Sequence, residues 1–285
     1  MAKQTAGSSA HAAPRPLALV TGASAGLGEA FARAYAARGC DVALVARRAD
    51  RLQALAASLT AAHGIEALVI PADLSVLEAH APVLDEIEAQ GRQVDILVNN
   101  AGFGIPQSFA AVPWSRQRDF LMTLVVAACG FAHGVIPGMA ARGRGSIINV
   151  ASLAAFSPGV AGNSLYPGAK GLMVKFSQAL DAEYRAKGIR VTAVCPGSTK
   201  TEFAAQAGIQ QIMDRERRLL PQTPEAVVRA AIEGNDRGKV VVVPGLHNQL
   251  AVFLMRRLPE GLVRAVIAAG SAKYHLEGDI HDRSL

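Results

Sequence analysis

The chain has 285 residues, 51% of them hydrophobic and 18% charged, which excludes disorder over most of its length and a collagen-like repeat. Its three cysteines are far apart and form no CxxC pair, so a disulfide scaffold is excluded and buried thiols in a reducing cytoplasm are expected. The net charge is +6, but the basic residues are scattered and only 5% of residues are aromatic, so no nucleic-acid surface is predicted.

The two ends of the chain differ from its middle. Residues 1–15 are rich in Ala, Ser, Gln and His and lack the apolar run of a signal peptide, so we expect a flexible tail there. Residues 246–285 read as a helical extension with a polar end. Charged residues interrupt the apolar stretch Leu250–Gly270, so no transmembrane span is predicted. A helix packed on the protein is favoured there over one lying at a membrane surface.

Between these ends, short apolar runs alternate with Ala-rich helical patterns, which is typical of parallel βαβ units. We therefore predict an α/β protein whose residues 16–245 form one Rossmann-type, doubly wound parallel sheet of about seven strands. The predicted strands are Leu17–Val20, Val42–Ala46, Ala67–Pro71, Ile96–Asn99, Ser146–Val150, Val191–Val194 and Val240–Val243. The predicted helices are Leu27–Arg38, Asp50–Ala62, Val76–Ala89, Trp114–Ala141, Tyr166–Lys187 and Pro224–Glu233.

A glycine-rich turn, TGASAGLG, joins the first strand to the first helix. Glycine at Gly22, Gly26 and Gly28 lets the backbone approach a pyrophosphate closely. The helix that follows directs its free N–H groups and a partial positive charge at the anion. The spacing is GxxxGxG rather than GxGxxG, so the turn alone is a modest indication of a dinucleotide site.

Two arginines, Arg47 and Arg48, follow the second strand, where the adenosine ribose rests in this architecture. An acidic residue there would bind the ribose hydroxyls, whereas arginine accommodates a 2′-phosphate. The sequence therefore favours NADP(H) over NAD(H), with a solvated loop as the alternative.

Polar residues follow three further strands, at the sheet edge where open α/β proteins bind ligands. Asp73 after the third strand can accept a hydrogen bond from an adenine amine. Asn99 and Asn100 after the fourth can hold the strand end and face the ribose. The turn PGSTKT after the sixth strand can offer backbone amides and the Thr201 hydroxyl to a carboxamide.

Tyr166 and Lys170 lie four residues apart at the start of a predicted helix, and so on one face of it. A nearby ammonium favours the phenolate and lowers the pKa of a phenol from its ordinary value near ~10. Tyr166 can then exchange a proton with a substrate oxygen. Ser152, just after the fifth strand, can hold that oxygen beside the phenol.

Together, TGASAGLG, NNAG at residues 99–102, Ser152, YPGAK and PGSTKT resemble the short-chain dehydrogenase/reductase family in order and spacing. The resemblance implies a nicotinamide cofactor and oxidoreduction of a carbonyl/alcohol pair. It implies Tyr166 as general acid/base, Lys170 as a ligand of the nicotinamide ribose and Ser152 as the residue that orients substrate. The expected cofactor-binding residues are Gly22, Ser24, Gly26, Leu27, Gly28, Arg47, Arg48, Asp73, Leu74, Asn99, Ala101, Gly102, Tyr166, Lys170, Pro196, Gly197, Thr199 and Thr201.

One position departs from the family pattern. Many members carry an asparagine in the long helix after NNAG, where it holds a water that connects the lysine to solvent. Leu124 falls at that position here, and leucine neither donates nor accepts a hydrogen bond. Neighbouring Thr123 is rotated by about 100° around the helix. Leu124 therefore raises the alternative of a nucleotide-binding sensor or scaffold with weak turnover. A 3-oxoacyl thioester reductase is a second alternative, because it uses the same Ser, Tyr and Lys arrangement.

The substrate, assembly and metal expectations rest on less specific features. Phe103, Phe156 and Phe203 favour an apolar alcohol or ketone as the small-molecule substrate. The seven histidines show no metal-ligand spacing, so no metal is expected. The family resemblance implies a homodimer or homotetramer through the helix pair Trp114–Ala141 and Tyr166–Lys187.

Overall fold

The computed structural model describes residues 15–159, 161–162, 164–199 and 222–271. Seven parallel strands form one sheet in the order β3-β2-β1-β4-β5-β6-β7. The predicted Rossmann-type sheet is therefore confirmed. The strands are β1 Leu17–Thr21, β2 Asp41–Ala46, β3 Ala67–Pro71, β4 Val94–Asn99, β5 Gly145–Val150, β6 Ile189–Val194 and β7 Val241–Val242.

Helices cover both faces of this sheet, which explains why the central strands β1 and β2 are buried along their whole length. Helices α1, α2 and α7 pack on one face, and α3, α5 and α6 pack on the other. The helices are α1 Gly26–Ala37, α2 Ala49–His63, α3 His80–Ala89, α4 Trp114–Leu121, α5 Ala127–Ala141, α6 Tyr166–Tyr184, α7 Pro224–Asp236, α8 Leu246–Arg257 and α9 Glu260–Ser271.

The third predicted helix begins later than the sequence pattern indicated, at His80 instead of Val76. Residues 76–79 form turns instead, because Asp73 draws the preceding chain into a side-chain turn by accepting from the Ser75 N–H at 3.0 Å. Glu78 then adopts a left-handed conformation with φ +58°, which a helix does not allow.

The long predicted helix Trp114–Ala141 contains one wide turn. Residues Met122–Val126 form a π-helical turn between α4 and α5, a feature often found at functional sites. By length and composition, this segment is the one candidate membrane span within the described residues, with 44% of its most apolar stretch buried. Its residues Phe131, Ala132 and Met139 are fully buried beside the sheet, as in a core helix.

The predicted C-terminal helical extension is present as α8 and α9. Asn248 and Val252 of α8 and Val263 of α9 are buried, so each helix packs on the protein through one face. The opposite face of α8 is apolar as well and remains exposed. The sequence analysis favoured a helix packed on the protein and did not predict this exposed apolar face.

Candidate active site

The glycine-rich turn between β1 and α1 is tightly closed. A Cβ on Gly28 would lie 2.1 Å from the Gly22 carbonyl oxygen, so only glycine fits there. Gly22 and Gly26 have φ of +67° and +58°, a left-handed conformation that glycine adopts at little cost. No side chain caps the N-terminus of α1, so its first N–H groups are available to an anion.

The ends of β1 and β4 are tied together beneath this turn. The Thr21 hydroxyl accepts from the backbone N–H groups of Asn100 and Ala101 at 2.9 and 3.0 Å. The Asn100 side chain donates in return to the Thr21 carbonyl at 2.9 Å. These bonds fix the crevice between two strands whose following helices lie on opposite faces of the sheet, where ligands bind in this architecture.

Asn99 faces the protein interior. Its Nδ2 donates to the Asn149 side chain at 2.9 Å and to the Ala128 carbonyl at 3.1 Å, and Asn149 in turn donates to Ser177. The sequence favoured Asn99 as the cofactor-binding asparagine, but Asn100 is the one that lines the groove. Adjacent residues of a strand point to opposite faces, and the sequence alone did not show which one faces the ligand.

The two arginines after β2 have different surroundings. Arg48 donates to the Ser24 hydroxyl at 3.0 Å and so braces the glycine turn. Arg47 is exposed and lies close enough to Asp73 to contribute to the lowered pKa of that carboxyl. Hydrogen bonding from Ser75 is the largest cause of that lowered pKa. Arg47 and Asp73 thus interact electrostatically at this end of the groove.

Ser152 begins a short 3₁₀ turn, Leu153–Phe156, just beyond β5. Its hydroxyl accepts from the Ala154 N–H at 3.2 Å. The Leu153 N–H donates to the Pro196 carbonyl at 3.0 Å, which ties this turn to the segment after β6. Ser152 is therefore held at the carboxyl edge of the sheet.

Tyr166 and Lys170 lie one turn apart at the start of α6, as predicted. The Lys170 Nζ is 5.7 Å from the centre of the Tyr166 ring. Tyr166 is half-buried and also packs against Phe120, with 6.4 Å between ring centres. The pair borders the same groove as Ser152.

Lys170 is a buried cation, 6% exposed. Its Nζ donates to the Val150 carbonyl at 2.8 Å. Burial lowers the pKa of Lys170 to about 8, because the charged form is poorly solvated there. The neighbouring Cys195 thiol has a pKa raised to about 12, again chiefly by burial.

Leu124 lies in the π-helical turn and is 3% exposed. It packs with Phe120 and Ala169 and contacts the Gly102 backbone. A small cavity of about 10 Å³ lies between Leu124, Lys170 and Asn99, close to the least space that holds one water. The Asn99 Oδ1 is buried and has no hydrogen-bond partner. The Thr123 hydroxyl already donates to the Asp119 carbonyl at 2.8 Å.

One groove of about 850 Å³ connects these features. Among the expected residues, it is lined by Gly22, Ser24, Gly26, Leu27, Arg47, Arg48, Asp73, Leu74, Ala101, Gly102, Ser152, Tyr166, Lys170, Pro196, Gly197 and Thr199. Thr201 and Phe203 lie outside the described residues. Gly28 acts through its closeness to Gly22 rather than as a lining residue.

Three polar residues of the predicted helix Trp114–Ala141 line the groove without having been assigned to it from the sequence: Arg116, Asp119 and Thr123. All three belong to the segment after Gly102, which was predicted as one helix without a choice of face. The Arg116 guanidinium stacks on Phe103 at 4.0 Å from the ring centre. The sequence placed Thr123 about 100° around the helix from Leu124, yet both residues line the groove.

The groove fits a dinucleotide. At one end it offers close backbone and uncapped N–H groups for a pyrophosphate, with Arg47 and Arg48 beyond them. At the other it offers a hydroxyl, a phenol and an ammonium. Within the described part of the chain, no three His, Cys, Asp or Glu side chains cluster as metal ligands do.

Comparison with known proteins agrees with this geometry. The sequence model described as "short chain dehydrogenase" matches residues 16–211, more than half of the chain. The chain belongs to the short-chain dehydrogenase/reductase family. Family membership explains why the glycine turn, Asn100 after β4 and the tyrosine–lysine pair share one groove.

Similar members of the family include an uncharacterized oxidoreductase of Myxococcus xanthus, 38% identical over 66% of this chain and 74% of that protein. The very-long-chain 3-oxoacyl-CoA reductase of Anas platyrhynchos is 35% identical over 75% of this chain and 67% of its own. A short-chain dehydrogenase from Sphingobium yanoikuyae, solved in complex with NADPH, is 32% identical with a TM-score of 0.74, over 86% of this chain and 97% of its own.

Proposed function

We propose that this oxidoreductase uses NADP(H) to interconvert a carbonyl group and a secondary alcohol, with Tyr166 as the general acid/base. The observation that carries the proposal is the single groove that joins the glycine turn and Arg47 to Ser152, Tyr166 and Lys170. Family membership and the NADPH complex of a relative support it.

The chain holds the cofactor through two features. The glycine turn and the N-terminus of α1 bind the pyrophosphate, and exposed Arg47 pairs with the 2′-phosphate. When bound, the nicotinamide cofactor would supply the hydride chemistry at the substrate carbon. Near Arg47, the Asp73 Oδ1 accepts hydrogen bonds from the N–H and the hydroxyl of Ser75.

Two side chains of α6, Tyr166 and Lys170, serve the transfer of a proton to and from the substrate oxygen. Tyr166 donates its phenolic proton to the substrate oxygen in reduction and takes it back in oxidation. The Lys170 ammonium, held by the Val150 carbonyl, favours the phenolate that this exchange produces. Ser152 holds the substrate oxygen next to the phenol.

The substrate region has an apolar wall. Phe103, Ile105 and Leu124 border the groove next to Tyr166, and the Arg116 guanidinium stacks on Phe103. An apolar ketone or alcohol fits this wall best, because its burial releases water from both surfaces.

A 3-oxoacyl thioester is the second candidate substrate. The observation that favours it is the similarity to the Anas platyrhynchos 3-oxoacyl-CoA reductase. The same Ser152, Tyr166 and Lys170 would serve that reaction, since the reacting group is again a ketone.

The direct test is the Tyr166→Phe variant, which removes one oxygen atom and keeps the ring. We expect it to bind NADPH as the wild type does, and to lose about 10²-fold or more in kcat/KM, the usual worth of general acid catalysis. Binding is followed by NADPH fluorescence, and turnover by NADPH oxidation with apolar ketones and a 3-oxoacyl thioester.

Three results would contradict the proposal. Retained turnover in Tyr166→Phe would show that the phenol is not the acid. Tighter binding of NADH than of NADPH would remove the 2′-phosphate role of Arg47. NADPH binding without oxidation by any substrate would favour a sensor, the alternative that Leu124 raises.

The assembly and compartment complete the proposal. Self-association through the segment Trp114–Ala141 and α6 would cover Val126 and Leu172, which are exposed on these helices. The three cysteines are free thiols, which suits a cytoplasmic compartment.

A further inference from the structure

Helix α8 carries apolar side chains on the face that points away from the protein. Leu246, Leu250 and Phe253 are 82%, 58% and 55% exposed. Their spacing of four and then three residues places them on one side of the helix. Asn248 and Val252, on the opposite side, are buried against the protein. The exposed side is therefore a second apolar face, additional to the one that anchors the helix.

Leu258 and the helix α9 expose further apolar side chains. We call the exposed set the C-terminal apolar face, and its members are Leu246, Leu250, Phe253, Leu254, Leu258, Leu262 and Val266. These are seven of the thirteen exposed large apolar side chains among the described residues. Apolar side chains scattered singly over a surface need no explanation, but a contiguous set marks an interaction site.

The charges around the C-terminal apolar face are mostly positive. Arg256, Arg257 and Arg264 lie in these helices, and Arg257 stacks on Phe253 with its guanidinium 5.4 Å from the ring centre. Between residues 246 and 267 the only acidic residue is Glu260, and its carboxylate pairs with Arg264. A second copy of this face would bring arginine against arginine, so the charge complements an anionic partner.

We propose that the C-terminal apolar face docks onto an anionic phospholipid surface. The leucines and Phe253 enter the boundary between head groups and acyl chains, as the apolar side of an interfacial helix does. Arginine stems follow the apolar surface while their guanidinium groups reach lipid phosphates. The outward side of α8 mixes leucine, phenylalanine and arginine, which is the composition of such helices.

Docking would set the groove beside the membrane. The Asn248 side chain of α8 packs so closely on Gly197 of the groove wall that a Cβ there would lie 2.6 Å away. The Arg256 guanidinium lies 4.7 Å from the ring centre of Phe156, in the turn after Ser152. Access to lipid-dissolved substrate rests on the proposed function, whereas the docking itself does not.

The test is cosedimentation of the full chain with vesicles of phosphatidylcholine alone and of phosphatidylcholine with phosphatidylglycerol. We expect binding to the anionic vesicles, weakened by high salt because the arginine–phosphate attraction is screened. The variant Leu250→Ser/Phe253→Ser should weaken binding about tenfold or more, because two apolar side chains leave the lipid boundary. Arg256→Gln/Arg257→Gln should remove the preference for anionic vesicles.

The matched control is Val76→Ser/Leu77→Ser, which alters two apolar side chains that are equally exposed, at 60% and 69%, on another part of the surface. It should bind vesicles as the wild type does. NADPH binding, measured for every variant, reports folding and the proposed function separately from docking. Absence of vesicle binding, or equal binding by the α8 variant and the control, would overturn the proposal. A fall in oligomeric state of the α8 variant alone would identify a second copy as the partner instead.

Discussion

Lys170 is an ionisable group buried in the wall of the groove. Its ammonium is buried, donates to the Val150 carbonyl and neighbours a thiol whose raised pKa keeps it neutral. The pKa therefore falls from its usual 10.5 to about 8, a difference of about 3 kcal/mol in favour of the uncharged form. Active sites commonly hold such groups at the expense of stability.

The lowered pKa of Lys170 predicts that the stability of the protein depends on pH. The unfolded chain keeps the Lys170 proton up to its usual pKa of 10.5, whereas the folded chain releases it near 8. Between pH 8 and pH 10.5 the unfolded state binds more protons than the folded state. The free energy of unfolding therefore increases as the pH rises through this range. Below about pH 7 both states hold the proton and the contribution is constant.

The Lys170→Met variant isolates this effect, because every other titrating group is shared. We expect the free energy of unfolding of the wild type, minus that of the variant, to rise by about 2–3 kcal/mol from pH 7 to pH 10. Urea unfolding at several pH values measures it. A difference that stays flat over this range would show that the lysine is solvated in the folded protein.

At the level of elements, the sheet was readable from sequence because strands buried on both faces leave continuous apolar runs. β3 matches its predicted bounds, and the other strands differ by one or two residues at an end. The later start of α3 accompanies the Asp73 side-chain turn, and the π-helical turn that contains Leu124 interrupts the predicted long helix. Neither depends on a periodicity that the sequence displays.

The contact between β1 and α1 gives a prediction at this level. Gly28→Ala would place a Cβ 2.1 Å from the Gly22 carbonyl and 2.6 Å from the Asn100 side chain, so the helix must shift away from the turn. We expect NADPH affinity to fall at least about tenfold, since the amide groups that bind the pyrophosphate move with α1. Fluorescence titration measures the affinity.

Gly261→Ala is the matched control for that substitution. Gly261 also lies in the first turn of a helix, but a Cβ there meets nothing within 4 Å. It should leave NADPH affinity unchanged and stabilise the protein slightly, because alanine favours a helix more than glycine does. Equal NADPH affinity in both variants would show that the closeness of Gly28 to Gly22 is irrelevant to binding.

For the whole molecule, the parallel sheet explains why separated motifs meet. All seven strands run in one direction, so the segments after β1, β2, β4, β5 and β6 open on one edge. The sequence therefore predicted most of the groove lining from strand ends alone. It did not predict that Arg116 and Asp119 reach the groove from α4, or that α8 has a second apolar face, because the sequence does not show which side of a helix packs on the protein.

We propose that one groove binds NADP(H) with its 2′-phosphate at Arg47 and its reactive end at Tyr166 and Lys170. A crystal structure of the chain with NADP⁺ tests this binding mode. We expect the phosphate beside the Arg47 guanidinium, the Lys170 Nζ on the nicotinamide ribose and the Tyr166 hydroxyl facing the nicotinamide ring. A phosphate remote from Arg47, with the phenol turned away from the nicotinamide, would contradict it.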